Sequence, residues 1–390
     1  MAVKELAKKY FDYGVEMRRE FHKYPEAGMK EFRTQKRVME ELTKMGIENY
    51  PSAGTGVVGI IQGKGEGKTV ALRADMDALE VFEENDVEYK STVEGVMHAC
   101  GHDGHTAGLL TAAKILNDLK DEFNGRVKLL FQPGEEVAQG ALGMIKDGVM
   151  EDVDGIFGLH IWNDCEVGKV SVEAGPRMAS ANMFKVYITG KGGHGSLPNQ
   201  TVDAVMVSAA MVMNLQSIVS REISPLDPAV VSVGMLKSGT RWNVIAGDAY
   251  MEGTTRCFSK EVNDGFEDQI KRIVDMTAKA YRAEARVEYT KMVAPTINDA
   301  EMSKLAAGSV KSLLGEEGLV LFEKTTGGED FGFFSEYAPS VFAFVGSKNT
   351  DKLECFPHHH PKFNIDEDAL EVAAGMYAQF ALDFLSKYSR

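Results

Sequence analysis

Short apolar runs alternate with helical stretches in the first half of the chain, and each run is closed by a polar cluster. KTVALRAD ends at Asp75, RVKLLFQ runs straight into PGEE, and GIFGLHI closes the third run with His160 at its end. GVVGIIQG is a further short β-rich run. Between them, helical periodicity covers residues 3–22 and 32–46, broken at Pro25 and Gly28. A long apolar helix is expected from His105 to Leu119, closed by Asn124 and Gly125, and a shorter one over 138–147. Strands alternating with helices build a mostly parallel sheet with helices on both faces. Ligands of such sheets collect beyond the carboxyl ends of the strands. The clusters DMD, PGEE and HIW stand at those ends.

The pattern changes near Met178. MFKVYITG reads as a strand, TVDAVMVSAAMVMNLQSIVS as a helix, and AVVSVGML and DAYMEGTTRCF as two strands. VNDGFEDQIKRIVDMTAKAY is a helix and ARVEYTKMV a last strand. The order β-α-β-β-α-β is the split arrangement of a ferredoxin-like α+β domain. After Ala294 the chain returns to helix, strand and a long final helix at 366–387. The expected fold is thus α/β, with residues 1–178 and 294–390 forming one domain and 179–293 inserted as a second.

A chain of 390 residues is too long for one ordinary core, in line with two domains. The formal charge of 43 − 58 = −15 repels nucleic acid and anionic membranes, so neither is an expected partner. The N-terminal segment is charged throughout and lacks the apolar core of a signal peptide. No run reaches the roughly 18 apolar residues of a membrane span. Four scattered cysteines, Cys100, Cys165, Cys257 and Cys355, form no disulfide framework. A cytoplasmic, reducing location is expected, where a lone thiol is free to ligate metal.

The densest chemistry lies in His98-Ala-Cys100-Gly-His102-Asp103-Gly-His105, with three imidazoles, a thiol and a carboxylate in eight residues. One histidine in a loop is usually structural, but this concentration points to a metal such as zinc. The spacing leaves open which members bind. Glu135 and Glu136 follow a strand that Pro133 and Gly134 stop; an adjacent pair cannot point the same way on extended backbone, so one suits metal and the other a general base. His160 gains weight as a ligand from the metal cluster already in hand. His358, His359 and His360 form a second concentration between prolines. Asp75 and Asp77 close a strand, where they could bind metal or accept the N–H of a ligating imidazole; the second role is favoured. Glycines around His194 suggest close approach to a ligand. Trp242-Asn243 and Arg256 lie on or near small-domain strands, where a guanidinium could fork onto a carboxylate but a plain surface role is as ordinary. Gly327-Gly-Glu329-Asp330 is either a cleft-lining turn or a helix cap.

Taken together, the motifs resemble the aminoacylase, hippurate hydrolase and indole-acetyl-amino-acid hydrolase group of zinc exopeptidases. The likeness runs nearly end to end, through FHKYPEAGMKE, RADMDAL, MHACGHDGHTA, FQPGEE, GLHIW, GKGGHGS, GTTRCF, GGEDF and HHPKFNIDE. MHACGHDGHTA and the last motif carry most of its specificity. The resemblance implies two divalent ions per subunit (Zn, Mn, Co or Ni), held by Cys100 as bridge and by His102, Glu136, His160 and His359. It implies Glu135 as general base, Asp77 as the carboxylate that orients a ligand, and His194 as oxyanion stabiliser, in some relatives from the partner subunit. Asn243 and Arg256 match positions near the substrate's carboxylate. The small domain resembles the family's lid or dimerisation domain, which implies a homodimer, with a tetramer or monomer open. The implied reaction is hydrolysis of a small N-acyl-L-amino acid to a carboxylic acid and an amino acid. A dinuclear dipeptidase or carboxypeptidase is the alternative. Glu80, Asn199 and Gly134 depart from residues frequent in the family, which bears on the pocket and leaves the ligands and base in place.

Overall fold

The computed structural model describes residues 2–388, and the chain divides into two compact units. The first takes the chain up to Gly175, then Ile297–Glu323, then the chain from Asp330 on. At its centre stands the strand Thr69–Asp75, buried at every residue. Such a strand is apolar on both faces because both are covered. It pairs in parallel with Arg126–Gln132 on one side and Gly155–Glu166 on the other, and Ser340–Lys348 runs parallel to the latter. Antiparallel strands finish the seven-stranded sheet: Gly56–Gln62 and Glu48–Ser52 at one edge, Val170–Ser171 at the other. The helices His102–Asp118 and Asp368–Tyr388 pack on each other and on Thr69–Asp75. Helix Gly140–Lys146 packs on the 3₁₀ turn Asp330–Glu336, which lies against Gly155–Glu166 and Ser340–Lys348.

Two element boundaries differ from the sequence reading in ways that matter for chemistry. The long helix starts at His102, not His105, because Gly101 at φ +90° turns the chain directly into it. His160 does not end its strand. It sits in the middle of Gly155–Glu166, which goes on pairing with Ser340–Lys348 as far as Glu166. On its other side the pairing with Thr69–Asp75 stops at Gly158. By this register His160 lies level with Asp75, the last residue of the neighbouring strand and two positions beyond the last paired one.

The second unit comprises Pro176–Thr296 and Lys324–Glu329. Its four antiparallel strands run in the spatial order Ala229–Ser238, Asp248–Cys257, Ala181–Thr189, Glu284–Val293. With helices Ala204–Ser217 and Lys260–Ala280 they make the ferredoxin-like arrangement. Asn182, Phe184, Val186 and Ile188 alternate inward along the central strand, and the last three enter a core shared with Val207, Met211, Phe266 and Ile270. Asp203 and Ser259 cap the two helices with their side chains. The sequence reading kept all of 294–390 with the first domain. The segment Lys324–Glu329 instead joins the second unit, because the Ala179 N–H donates to the carbonyls of Thr325 and Gly327 and Thr325 N–H donates to Arg177. A further correction concerns apolar length. Residues Ala204–Glu222 form one continuous 19-residue helical stretch with a mean hydropathy of 1.2, long and apolar enough by composition to cross a membrane. Ala204, Val207, Met211, Leu215 and Ile218 are buried in the second unit's own core.

Candidate metal centre

The eight-residue cluster sorts into three directions once its first turn is helical. Asp103 turns away from the sheet end and accepts hydrogen bonds from Arg18 Nε and His22 Nδ1, both at 2.8 Å. His105 has both nitrogens engaged: Nδ1 donates to Asp75 Oδ1 at 2.5 Å and Nε2 accepts from Ile161 N–H at 2.8 Å. His98 is buried beside His22, with ring centroids 6.4 Å apart, and belongs to none of the three-donor groups described below. Cys100 and His102 remain.

His102 donates Nδ1–H toward Asp77 Oδ1 at 3.3 Å, which leaves the Nε2 lone pair for a cation. Asp77 also accepts the backbone N–H groups of Glu135 at 3.1 Å and Glu136 at 3.0 Å. One carboxylate thus fixes an imidazole and the PGEE turn together. That turn is not extended backbone. Gly134 adopts φ +56°, its N–H donates to buried Glu31 at 2.8 Å, and the carboxylates of Glu135 and Glu136 both come within reach of His102. The sequence argument that the pair must diverge fails here because it assumed a strand.

His160 donates Nδ1–H to the carbonyl of Ile161 at 2.7 Å, and its Nε2 lies 3.4 Å from Cys100 Sγ. Glu136 Oε1 stands 3.5 Å from His359 Nε2 and 4.0 Å from His102 Nε2. Donors that share one zinc at 2.0–2.3 Å sit about 3.3–3.8 Å apart in a tetrahedron. Among the described residues, five three-donor groups have every ligand atom within 4.8 Å of the others, and two of them contain Cys100: Cys100 with His102 and His160, and Cys100 with Glu136 and His359. Cys100 belongs to both. His102, Glu135 and Glu136 form a third such group.

The electrostatics also fit cations. Among the described residues, His102 Nε2 and Glu136 Oε1 are buried with no hydrogen-bond partner, which is costly for polar atoms unless something charged sits between them. Burial, and then the Glu136 carboxylate, push the Cys100 thiol well above its ordinary range, so a thiolate there needs a positive neighbour. Burial holds His160 well below the usual imidazole range, neutral as a ligand must be. His359 carries φ +67°, a left-handed strain of the kind found where a side chain is aimed for function.

A peptidase family, M20/M25/M40, matches residues 71–383, most of the chain and every donor just described. The chain belongs to this family. It is 41% identical over 383 residues to thermostable carboxypeptidase 1 of Saccharolobus solfataricus, covering 96% of each. It is 39% identical to the N-acetylcysteine deacetylase of Bacillus subtilis, covering 94% of this chain and 96% of that one. A crystal structure of a dinuclear metal-binding peptidase of the M20 family from Bacillus subtilis superposes with a TM-score of 0.85 at 34% identity, over 97% of this chain and 99% of that one. The fold and the family are those of dinuclear metal-dependent hydrolases.

The other site residues anticipated from the M20 resemblance lie in the second unit. His194 is exposed on the two-residue strand Gly193–His194, which pairs with Val244–Ile245; its Nδ1 accepts from Ser196 N–H at 3.1 Å. Asn243 is beside it in space, its carbonyl accepting the Gly195 N–H at 3.0 Å, and its side-chain Oδ1 is buried without a partner among the described residues. Arg256 is half-buried on Asp248–Cys257, and its Nη1 donates to Thr254 Oγ1 at 2.8 Å.

Sequence reasoning missed the supports. Asp330 gives a first-turn amide of helix Gly140–Lys146 an acceptor, as a cap does. It is fully buried and accepts from Arg73 Nη2 at 3.0 Å, Gln132 Nε2 at 2.8 Å and Ala141 N–H at 3.1 Å. Arg73 also donates to Asp75 at 2.7 Å, which in turn holds His105. Glu31 was legible only as part of FHKYPEAGMKE. A charged residue inside the apolar run KTVALRAD was the one available signal for Arg73.

Proposed function

We propose that the protein hydrolyses the amide bond of small N-acyl-L-amino acids, holding two divalent ions from the Zn, Mn, Co and Ni group. The observation that carries this is Cys100 shared between two three-donor groups, with unpartnered His102 Nε2 and Glu136 Oε1 facing the same space. Cys100, His102 and His160 would hold one ion and Cys100, Glu136 and His359 the other. When bound, such ions supply Lewis acidity toward the carbonyl and toward water.

The chain's own residues do the rest. Glu135, on the turn that Asp77 fixes, accepts the proton of the attacking water and returns it to the leaving amine. Asp77 keeps His102 in the tautomer with a free Nε2. His194 donates to the developing oxyanion, from its own chain or a partner's, and Asn243 and Arg256 receive the substrate carboxylate. A homodimer is the oligomer we favour, with a tetramer open. Its support is the edge strand Ala229–Ser238 with exposed Val230 and Leu236, beside a helix exposing Met206 and Met213. The described cysteines are all unpaired, which suits a cytoplasmic enzyme.

The test is amino acid release from N-acetyl and N-benzoyl amino acids and from dipeptides, after chelation and after adding back each metal. Metal-restored release from acylated substrates is expected. Cleavage of unblocked dipeptides or longer peptides only would favour the second reading, a carboxypeptidase or dipeptidase, which the Saccharolobus relative supports. Glu135→Ala is expected to lower kcat by about 10²–10⁴ with two ions still bound; wild-type turnover in that variant would remove Glu135 as base.

A further inference from the structure

Three imidazoles from separate parts of the chain end on one residue, Ile161. Its N–H donates to His105 Nε2 at 2.8 Å, and its carbonyl receives both His160 Nδ1 at 2.7 Å and His358 Nε2 at 3.0 Å. A carbonyl oxygen only accepts, so the proton of each of those two rings is on the nitrogen facing it. His160 thereby keeps Nε2 free toward Cys100. His358 touches none of the donor atoms, yet it is the residue before His359.

The ring of His358 is held on several sides. Trp162 lies at 4.6 Å between centroids, Phe363 at 4.9 Å and His160 at 5.1 Å. The following residue, His359, is pinned through its own N–H to the carbonyl of Ala99 at 2.7 Å while adopting φ +67°. Two hydrogen bonds therefore fix this loop, one at the strained residue's own N–H and one at the residue before it. One leads to the segment before Cys100 and the other to the strand that carries His160.

We propose that His358 is a positioning residue for the second metal position: its N–H on the Ile161 carbonyl ties the loop bearing His359 to the strand bearing His160, so that both donor groups stay in register on Cys100. This rests on the metal reading above. Removing the bond frees the loop to relax from the left-handed backbone, which withdraws His359 from Glu136 while leaving Cys100, His102 and His160 in place.

The experiment uses the full chain, stripped of metal and titrated with Mn or Zn by calorimetry, with bound metal counted after desalting. His358→Phe keeps a ring for the aromatic packing and removes the N–H; His358→Gln keeps an N–H donor. In His358→Phe the first ion is expected to bind as in wild type and the second about 10- to 100-fold more weakly, the usual cost of losing a support behind a ligand. The metal-free melting temperature should not change. His358→Gln should recover the second ion. Binding of both ions by the Phe variant as in wild type overturns the proposal. So does equal weakening of both ions, and so does a Gln variant that loses the second ion as fully as Phe, which would assign the effect to packing. Should the Phe variant fail to fold, His358→Leu, which also removes the N–H, takes its place under the same criterion. Wild-type protein that holds fewer than two ions overturns the metal reading as well; a deficit confined to the variants bears on His358 alone.

Discussion

Asp77 meets three N–H groups with two oxygens: His102 Nδ1 and the amides of Glu135 and Glu136. Asp77→Asn turns an amide N–H toward at least one of these donors. Metal affinity should fall by about 10- to 100-fold by calorimetry, and unchanged affinity would show that His102 is oriented by something else. Gly134 makes the opposite point, since it departs from the residue frequent in the family. At φ +56° with Met29 Sδ only 2.6 Å from where a Cβ would stand, Gly134→Ala should cost about 1–3 kcal/mol in urea unfolding. The sequence showed which residue types gather at 98–105, but not their division of labour. One glycine dihedral at residue 101 decides that His102 faces the centre while Asp103 faces Arg18 and His22. Nothing in the spacing encodes that dihedral.

Among the elements, the helix Phe32–Lys44 carries a charge cluster with a calculable pH signature. Burial opposes ionisation of Glu41, but hydrogen bonds from Lys44, Arg37 and Tyr13 overcome it and bring its pKa down to about 2. A depressed carboxylate stabilises the fold above its unfolded pKa of about 4.3, and that contribution disappears as pH falls through about 2. Glu41→Gln should therefore lower the melting temperature at pH 7, with the gap to wild type closing between pH 4.5 and 2; a gap independent of pH would mean that packing, not charge, is at stake. The alternation of strands and helices was readable because it follows from burial on a repeating backbone. The place of His160 was not. It depends on where the adjacent strand stops pairing, a property of two segments some 85 residues apart, as the Arg73–Gly158 register shows.

For the whole molecule, the two units have separate apolar cores, one around the seven-stranded sheet and one around the four-stranded sheet. All five donors proposed for the ions are in the first. Ligand that binds only the folded state stabilises by mass action, about 2.7 kcal/mol at a hundred times Kd. Chelation should thus weaken hydrogen-exchange protection in Thr69–Asp75 and leave Ala181–Thr189 as it was. A uniform loss would mean that the units open as one. The two-part organisation was legible from the change of pattern near Met178. The capture of Lys324–Glu329 by the second unit was not, because backbone hydrogen bonds from Ala179 and Thr325 hold that segment without any periodicity.

The spread of the donors along the chain also has a consequence for synthesis. Cys100, His102, Glu136 and His160 are translated before the inserted unit, and His359 after it. A growing polypeptide therefore acquires the first proposed set of three donors once residue 160 is made, and the second only after residue 359. A cation captured at the first position can help the young domain hold its shape. On the proposed assignment, a product stopped before residue 359 would lack one donor of the second set.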